Sequence, residues 1–451
     1  MKFAVITHVK HIQHKNHYYG YAPYIREMNL WLKYVDKVII VAPLVNNELN
    51  PIHEKYNHSQ VYFLQVEEFD ITSIANVVRT IVRLPKIATQ VYKAMQQADH
   101  IHLRCPGNMG LLGALVQILF PNKQKTAKYA GNWDPKSKQP WSYRLQKWIL
   151  SNTFLTRNMQ VLVYGEWEGS TKNIKPFFTA TYSESEIQHS AFSIQNKLSL
   201  RAQSRTTENN FDFNQSDKLD DSVLSLRAQS RTTENDFNLT QSDKQDNSVW
   251  SLRAQSRTTE NSLDSARLDK IEIDLPPTSF LFVGTLSKGK QPLYAIRLVE
   301  ALYQQGKNVQ LDLYGEGVLR TDLEQYIAQN NLETIITLKG NQSKETVLKA
   351  YQNSHFLILP SKSEGWPKVV AEAMFWGCVP IASPVSCVPF MMGNGSRGIV
   401  LKEQLNKDVS QIMNVLNNQE VYKKMALEGQ TWSRQFTTDK FETEISKLLK
   451  Y

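Results

Sequence analysis

Residues 360–380, PSKSEGWPKVVAEAMFWGCVP, hold two carboxylates, Glu364 and Glu372, with seven residues between them and a proline, Pro367, near the first. Proline is favoured at the first position of a helix, where its missing N–H is no loss. Pro367 is therefore expected to open a short helix that Gly377 stops. A helix N-terminus offers unpaired N–H groups and about half a unit of positive charge, which suits phosphate. The amides of Lys368 and Val369 are the expected donors. Glu364 in the loop and Glu372 a turn and a half into the helix are acceptors for hydroxyls. Acceptors on both sides of an anion-binding turn suit a sugar diphosphate with a ribose attached. The spacing alone also fits a plain capped helix, with Glu364 satisfying its start and Glu372 an ordinary surface acid.

The elements that must position these residues read as α/β. Strand patterns at 2–7, 37–42, 61–66, 100–103, 127–130 and 160–165 alternate with helical patterns at 22–34, 73–97, 107–119 and 141–157. A second series runs from SFLFVG (279–284) through strands at 309–315, 334–340, 355–360 and 379–383, with helices at 292–306, 318–329 and 343–352 between them. Such alternation predicts parallel sheets covered on both faces, hence two Rossmann-like doubly wound domains facing across a cleft. Ligands then lie beyond the carboxyl ends of the strands. Between the two series, SLRAQSRTTEN occurs at 199–209, 225–235 and 251–261. These units are too polar to bury a core, so 190–270 is expected to be a disordered, duplicated and dispensable insertion. The expected domains are 1–189, on the acceptor side, 271–430, which binds the nucleotide sugar, and a terminal helix, 431–451, that crosses back to the first.

The 451 residues carry a net charge of +9, with 41% hydrophobic and 21% charged residues, as in a globular protein with an anionic partner. Phosphorylated substrates and an acidic membrane surface both fit, and no nucleic-acid motif is present. Three cysteines without paired spacing point to a reducing cytoplasm. No secretory signal is expected, and GLLGALVQILF (110–120) is about half the ~20 residues that a membrane span needs.

At this point the motifs resemble a known family. PSKSEGWPKVVAEAMFWGCVPIAS is similar to the E-x7-E signature of retaining nucleotide-sugar glycosyltransferases of family 4 (glycosyl transferases group 1), which have the GT-B fold. FLFVGTLSKGKQP resembles that family's Gly-Arg-Leu…Lys loop, LYGEG its Gly-x-Gly turn, LKGN its strand-end glycine near the base, and HIHLRCPGN its His-rich strand end. The resemblance implies that Lys290 neutralises the donor diphosphate and Glu372 holds the ribose. It implies that Glu364, with the Gly365–Trp366 backbone, holds the sugar. Gly284 and Gly315 would admit the phosphates, and Gly340 would border the base. It further implies transfer with retention and without a metal or other cofactor, the nucleotide-diphosphate sugar being a co-substrate. The leaving phosphate would take the acceptor's proton, and the acceptor would be a glycan or a lipid-linked glycan of cell-surface polysaccharide biosynthesis. Three departures stand out. Thr285 replaces the family's arginine, with Lys288 and Lys368 the nearest cations; EGWP replaces EGFG; and AGNWD lacks the expected histidine, leaving Asn132 and Asp134 as substitutes.

His8, His11, His14 and His17 recur at intervals of three in what reads as a loop. Their lysine neighbours disfavour a metal, so the loop is expected to line the acceptor side, with His8, Tyr19 and Arg26 as contacts, or to be solvated with incidental histidines. Helix 73–97 sets Arg79, Arg83, Lys86 and Lys93 along one stripe against Ile74, Val78, Ile81, Val82 and Val91, kinked at Pro85. That stripe suits either solvent or an anionic membrane, at the inner face of the cytoplasmic membrane. The readings that compete with a glycosyltransferase are a nucleotide-sugar epimerase of similar layout and an inactive sugar-nucleotide-binding scaffold.

Overall fold

Runs rich in aliphatic and aromatic residues, such as Phe3–Ile6 and Phe356–Leu359, form strands buried on both faces, which is what a parallel sheet covered by helices requires. The computed structural model describes residues 1–50, 52–68, 74–188 and 276–450, and side chains in the helix that begins at Ile74 only from Arg83 onward. The expected insertion at 190–270, and the side chains of Ile74, Val78, Arg79, Ile81 and Val82, lie outside the described residues. The first half runs β1 (Lys2–Ile6), β2 (His11–His14), β3 (His17–Tyr21), α1 (Ala22–Leu32), β4 (Lys37–Pro43), β5 (His53–Lys55), β6 (Val61–Val66) and α2 (Ile74–Gln97). It continues with β7 (His100–Cys105), α3 (Asn108–Val116), β8 (Gln124–Tyr129), α4 (Trp141–Ser151), β9 (Met159–Tyr164), β10 (Ile174–Phe177) and α5 (Glu184–Gln188).

The second half runs β11 (Thr278–Val283), α6 (Pro292–Gln304), β12 (Val309–Tyr314), α7 (Arg320–Gln329), β13 (Ile336–Gly340), α8 (Lys344–Asn353), β14 (Phe356–Leu359) and α9 (Lys368–Phe375). After it come β15 (Val379–Ala382), α10 (Val388–Met391), β16 (Ile399–Val400), α11 (Leu405–Leu416), α12 (Gln419–Ser433) and α13 (Thr438–Leu449). Two parallel sheets result, ordered β10-β9-β8-β7-β1-β4-β6 and β13-β12-β11-β14-β15-β16. In the second, the chain leaves β11 toward β12 and returns to β14 on its other side. That reversal opens a crevice between the β11 and β14 ends, where doubly wound sheets bind ligands.

Several parts differ from the sequence expectation, among them the unexpected strand β10 and the three that follow. Residues 11–21 are a β-hairpin rather than a loop, turning at Lys15 and Asn16 (φ 47° and 62°) and extended by β5. Positive φ at both central residues matches the twist of the strands they join. Its histidines do not converge. His11 is buried against the Tyr56 hydroxyl (2.9 Å), and His14 and His17 pair across the turn. Among the described residues no three metal-ligating side chains gather. Second, Pro367 is the N-cap of α9 (φ −70°, ψ 94°), one residue earlier than expected. Third, α11 and α12 precede the terminal helix, which begins at Thr438 and not at 431. α13 itself packs against α1 of the first domain, burying Phe441 and Ile445. A single apolar cluster thus runs from Phe3 and Tyr24 through Phe177, Phe178 and Tyr182 to Met374 and Phe441.

Candidate functional site

The loops after β11 and β14 are tied across the crevice. Gln291 Nε2 donates to the Pro360 carbonyl at 2.6 Å, and the Lys362 N–H donates to the Gly289 carbonyl at 2.9 Å. This brings the Lys290 ammonium to 2.5 Å from Glu364 Oε1. Glu364 is the buried partner, with 8% of its side chain exposed against 31% for Lys290, so the cation is the member that faces solvent. Gly315 (φ 135°) lies so near Gly284 that a Cβ would stand 2.0 Å from the Gly284 carbonyl oxygen. The Gly315 N–H donates to Gly340 O (2.9 Å), which lines Gly284, Gly315 and Gly340 along neighbouring strand ends. Thr285 and Lys288 are exposed on the same loop.

Helix α9 follows the Glu364 turn that leaves β14. Val370 N–H bonds the Pro367 carbonyl (2.9 Å), so the Lys368 and Val369 amides occupy the first two helical positions, which have no partner within the helix. The far end closes by Gly377 N–H to Met374 O and Cys378 N–H to Ala373 O, with Gly377 at φ 70°. Glu372 is not an ordinary surface acid. Thr181 Oγ1 donates to its Oε1 at 2.7 Å, and the buried Tyr351 hydroxyl donates to Oε2 at 3.1 Å. Burial, and then the Glu372 charge, push the phenol pKa values of Tyr351, Tyr182 and Tyr21 upward. Lys368 is also drawn in: burial lowers its pKa, against the opposing pull of Glu372 and of Glu27 in the other domain.

The turn that holds Glu364 abuts the first domain. A Cβ on Gly365 would lie 2.9 Å from the Ala130 carbonyl oxygen, and the Gly365 carbonyl accepts from Cys387 Sγ (2.9 Å). The Trp366 ring is buried between Tyr164 and Trp432. Beyond Gly131, Asn132 Oδ1 accepts from the Asp134 N–H and Asp134 Oδ1 from the Lys136 N–H, both at 2.8 Å, so these side chains shape their own turn. His8 lies after β1 against Gly107, and burial followed by the Arg104 charge lowers its pKa. Arg26 is paired with Glu54 at 2.6 Å, and Tyr19 sits on β3 with its ring edge toward His14.

A buried ion cluster beside this boundary escaped the sequence reading. Glu27 of α1 receives Arg104 at 3.2 Å and Lys128 at 3.1 Å, and the Lys128 ammonium also donates to Phe178 O (3.1 Å) and lies 4.7 Å from the Phe441 ring centre. Burial lowers the Lys128 pKa to about 8 although Glu27 pulls it up. Burial alone would raise that of Glu27, but Lys128 and Arg104 outweigh it and hold the carboxyl below its usual range. The available signal was a lysine inside the apolar strand pattern at 127–130; Glu27 itself reads as one acid on an amphipathic helix.

Residues 266–432 match the family described as Glycosyl transferases group 1. The chain is 28% identical over 137 residues to an uncharacterized glycosyltransferase of Methanocaldococcus jannaschii, covering 30% of this chain and 39% of that one. It is 26% identical over 147 residues to the alpha-D-kanosaminyltransferase of Streptomyces kanamyceticus, covering 32% and 38%. The matched segments therefore span less than two-fifths of either relative's length. Among solved structures, Anabaena HepE in complex with UDP and glucose aligns over 100% of this chain and 99% of its own, with TM-score 0.58 and 13% identity. Sucrose-phosphate synthase from Thermosynechococcus elongatus aligns over 100% and 98%, with TM-score 0.58 and 16% identity. At such identities the likeness is one of fold, and the fold is the two-domain GT-B arrangement.

Proposed function

We propose that this protein is a retaining glycosyltransferase of family 4 that moves a sugar from a nucleoside-diphosphate donor to a glycan or lipid-linked acceptor in cell-surface polysaccharide biosynthesis. The observation that carries the reading is the Lys290–Glu364 pair set between the β11 and β14 ends, one turn before the free amides of α9. UDP in the HepE structures supports a nucleoside diphosphate as the ligand class. Lys290, the Lys368 and Val369 amides and the Lys368 ammonium would carry the diphosphate charge, the last in place of the arginine that Thr285 replaces. Glu364, with the Gly365 backbone, would bind sugar hydroxyls. Glu372 already accepts two protein hydroxyls, and each carboxylate oxygen has a second lone pair for a ribose hydroxyl.

In the reaction the bond between the anomeric carbon and the phosphate oxygen breaks as the acceptor oxygen attacks from the same face. The acceptor's proton passes to the departing phosphate oxygen. Positive groups fixed where the leaving charge develops lower the barrier without reorganising. Neither a metal nor another cofactor is part of this proposal. The acceptor would be met at the inner face of the cytoplasmic membrane.

The test is a thermal-shift screen of UDP-, GDP- and ADP-sugars followed by product analysis. Release of nucleoside diphosphate with a sugar transferred in the donor's anomeric configuration is expected. Epimerised nucleotide sugar without transfer, or binding without any turnover, would overturn the reading.

A further inference from the structure

Among the described residues, the first domain carries an apolar face that its own elements leave uncovered. On α4, Trp141, Leu145 and Trp148 fall at i, i+4 and i+7, a single stripe, while Ser142, Gln146, Ile149 and Leu150 turn inward. Both tryptophans are 60% exposed. Helix α3 packs on α4, and the turn after it adds Leu119, 65% exposed; Phe154, following α4, is 70% exposed. Buried Gln117 fixes the two segments together by donating through Nε2 to Leu155 O at 3.0 Å. Scattered exposed apolar residues need no explanation, but a contiguous group of large ones marks an interaction surface.

The segment that builds this face is strongly basic. Asp134 is the single acidic residue between Asn108 and Met159. Lys136, Lys138, Arg144 and Arg157 are exposed, and the Arg157 guanidinium lies 4.8 Å from the Phe154 ring centre. Like charge opposes the pairing of two copies through this face. Amphipathic tryptophans with cations beside them instead match the boundary between headgroups and acyl chains.

We propose that the α3–α4 face docks on an anionic lipid bilayer, with Trp141, Leu145, Trp148 and Phe154 at the acyl boundary and the cations on lipid phosphates. This deepens the membrane contact in the functional reading above and rests on it, but moves it from the helix expected to make it: Arg83 of α2 is engaged by Glu67 at 2.8 Å. Donor chemistry lies on the other domain, so docking and turnover are read out separately.

The full chain is sedimented with vesicles of phosphatidylcholine, alone or mixed with phosphatidylglycerol, at low and high salt. Binding to the mixed vesicles that falls with salt is expected. Trp141→Ser with Trp148→Ser should weaken it about tenfold, and Arg144→Glu with Arg157→Glu by a similar factor, on the energetics of interfacial apolar area and surface charge. Both variants should retain the wild-type Tm and nucleotide-sugar turnover in solution. Wild-type chain that leaves mixed vesicles unbound, or double variants that bind like wild type, would overturn the proposal. So would a concentration-dependent dimer that the tryptophan variant abolishes in the absence of vesicle binding. A chain that docks but turns over no nucleotide sugar keeps this proposal and removes the glycosyltransferase reading.

Discussion

Lys290 and Glu364 form an ion pair of unequal exposure, the carboxylate shielded and the ammonium open. In the proposed reading a diphosphate would meet the cation first and Glu364 would remain to accept sugar hydroxyls. Removing the lysine has two consequences: the leaving group loses a positive charge, and a buried carboxylate loses its partner. Lys290→Ala is expected to lower turnover about 10²–10³-fold, the range for losing one fixed stabilising group in a transition state. Lys290→Arg should retain more activity than Lys290→Ala because the charge survives, although its geometry differs. Nucleoside-diphosphate release at saturating donor checks both, with circular dichroism to confirm folding. Turnover of Lys290→Ala within twofold of wild type would remove Lys290 from the site. Position 285 has a matching check, since Thr285→Arg restores the cation of the family pattern and should lower the KM for donor.

Between elements, the strongest local commitment is the Glu27–Arg104–Lys128 cluster, which joins α1 to the ends of β7 and β8. Two cations share one carboxylate in a nearly dry site, so Glu27→Gln leaves both uncompensated and should cost about 3–5 kcal/mol. Adding Lys128→Met should recover part of that loss, which urea unfolding of the single and double variants will measure. The pH dependence has a definite sign. The folded pKa of Glu27 is below its unfolded value, so its stabilisation is complete above about pH 4.3 and is lost as pH falls through the folded pKa. Lys128 has the same sign of slope at the alkaline end: with a folded pKa of about 8 the unfolded chain binds the extra proton, and stability rises with pH between there and about 10.4. Glu27→Gln should flatten the acid limb and extend the alkaline rise to lower pH, because the Glu27 charge no longer holds the Lys128 pKa up. Elements of this kind were only partly legible in the sequence. Strands such as Thr278–Val283 and Phe356–Leu359 are announced by apolar runs and fall within a residue or two of their expected bounds. The 11–21 hairpin is not, because its alternation is of His, Gln and Tyr, residues that any solvated loop also contains. Carboxylate spacing and glycine order pointed to the β11–β14 crevice, but the partners of Glu372, Thr181 and Tyr351, come from distant segments that no local pattern connects.

At the scale of the molecule, two segments among the described residues tie the two sheets together. One is the segment after β10, which carries Phe178 and Thr181; the other is α13, which returns from the second domain to lie on α1. A terminal helix that crosses back to the first domain is expected from the sequence that ends in TTDKFETEISKLLKY, but the element it lands on, α1, is not, since nothing local singles out that surface. Phe441 is where the tie is made. Its ring meets Phe177 and Phe178 at 5.3 and 5.6 Å between centroids and lies under the Lys128 ammonium, with 1% of its surface exposed. Phe441→Ala therefore removes an apolar contact and a cation–π partner from one point, at a cost of about 3–5 kcal/mol. The contact bridges domains, so the loss should separate their unfolding into two calorimetric transitions. Affinity for nucleoside diphosphate should hold, because Lys290, Glu372 and the α9 amides stand on the second domain alone. Turnover should fall, because the acceptor side is no longer held in register with them. Glu442→Ala, one residue away, is the control: its contacts with Lys33 (2.7 Å) and the Tyr34 hydroxyl (3.0 Å) lie at the solvent rim, and their loss should cost less than about 1 kcal/mol. A single transition at the wild-type midpoint for Phe441→Ala would mean that the segment after β10 holds the domains together without the terminal helix.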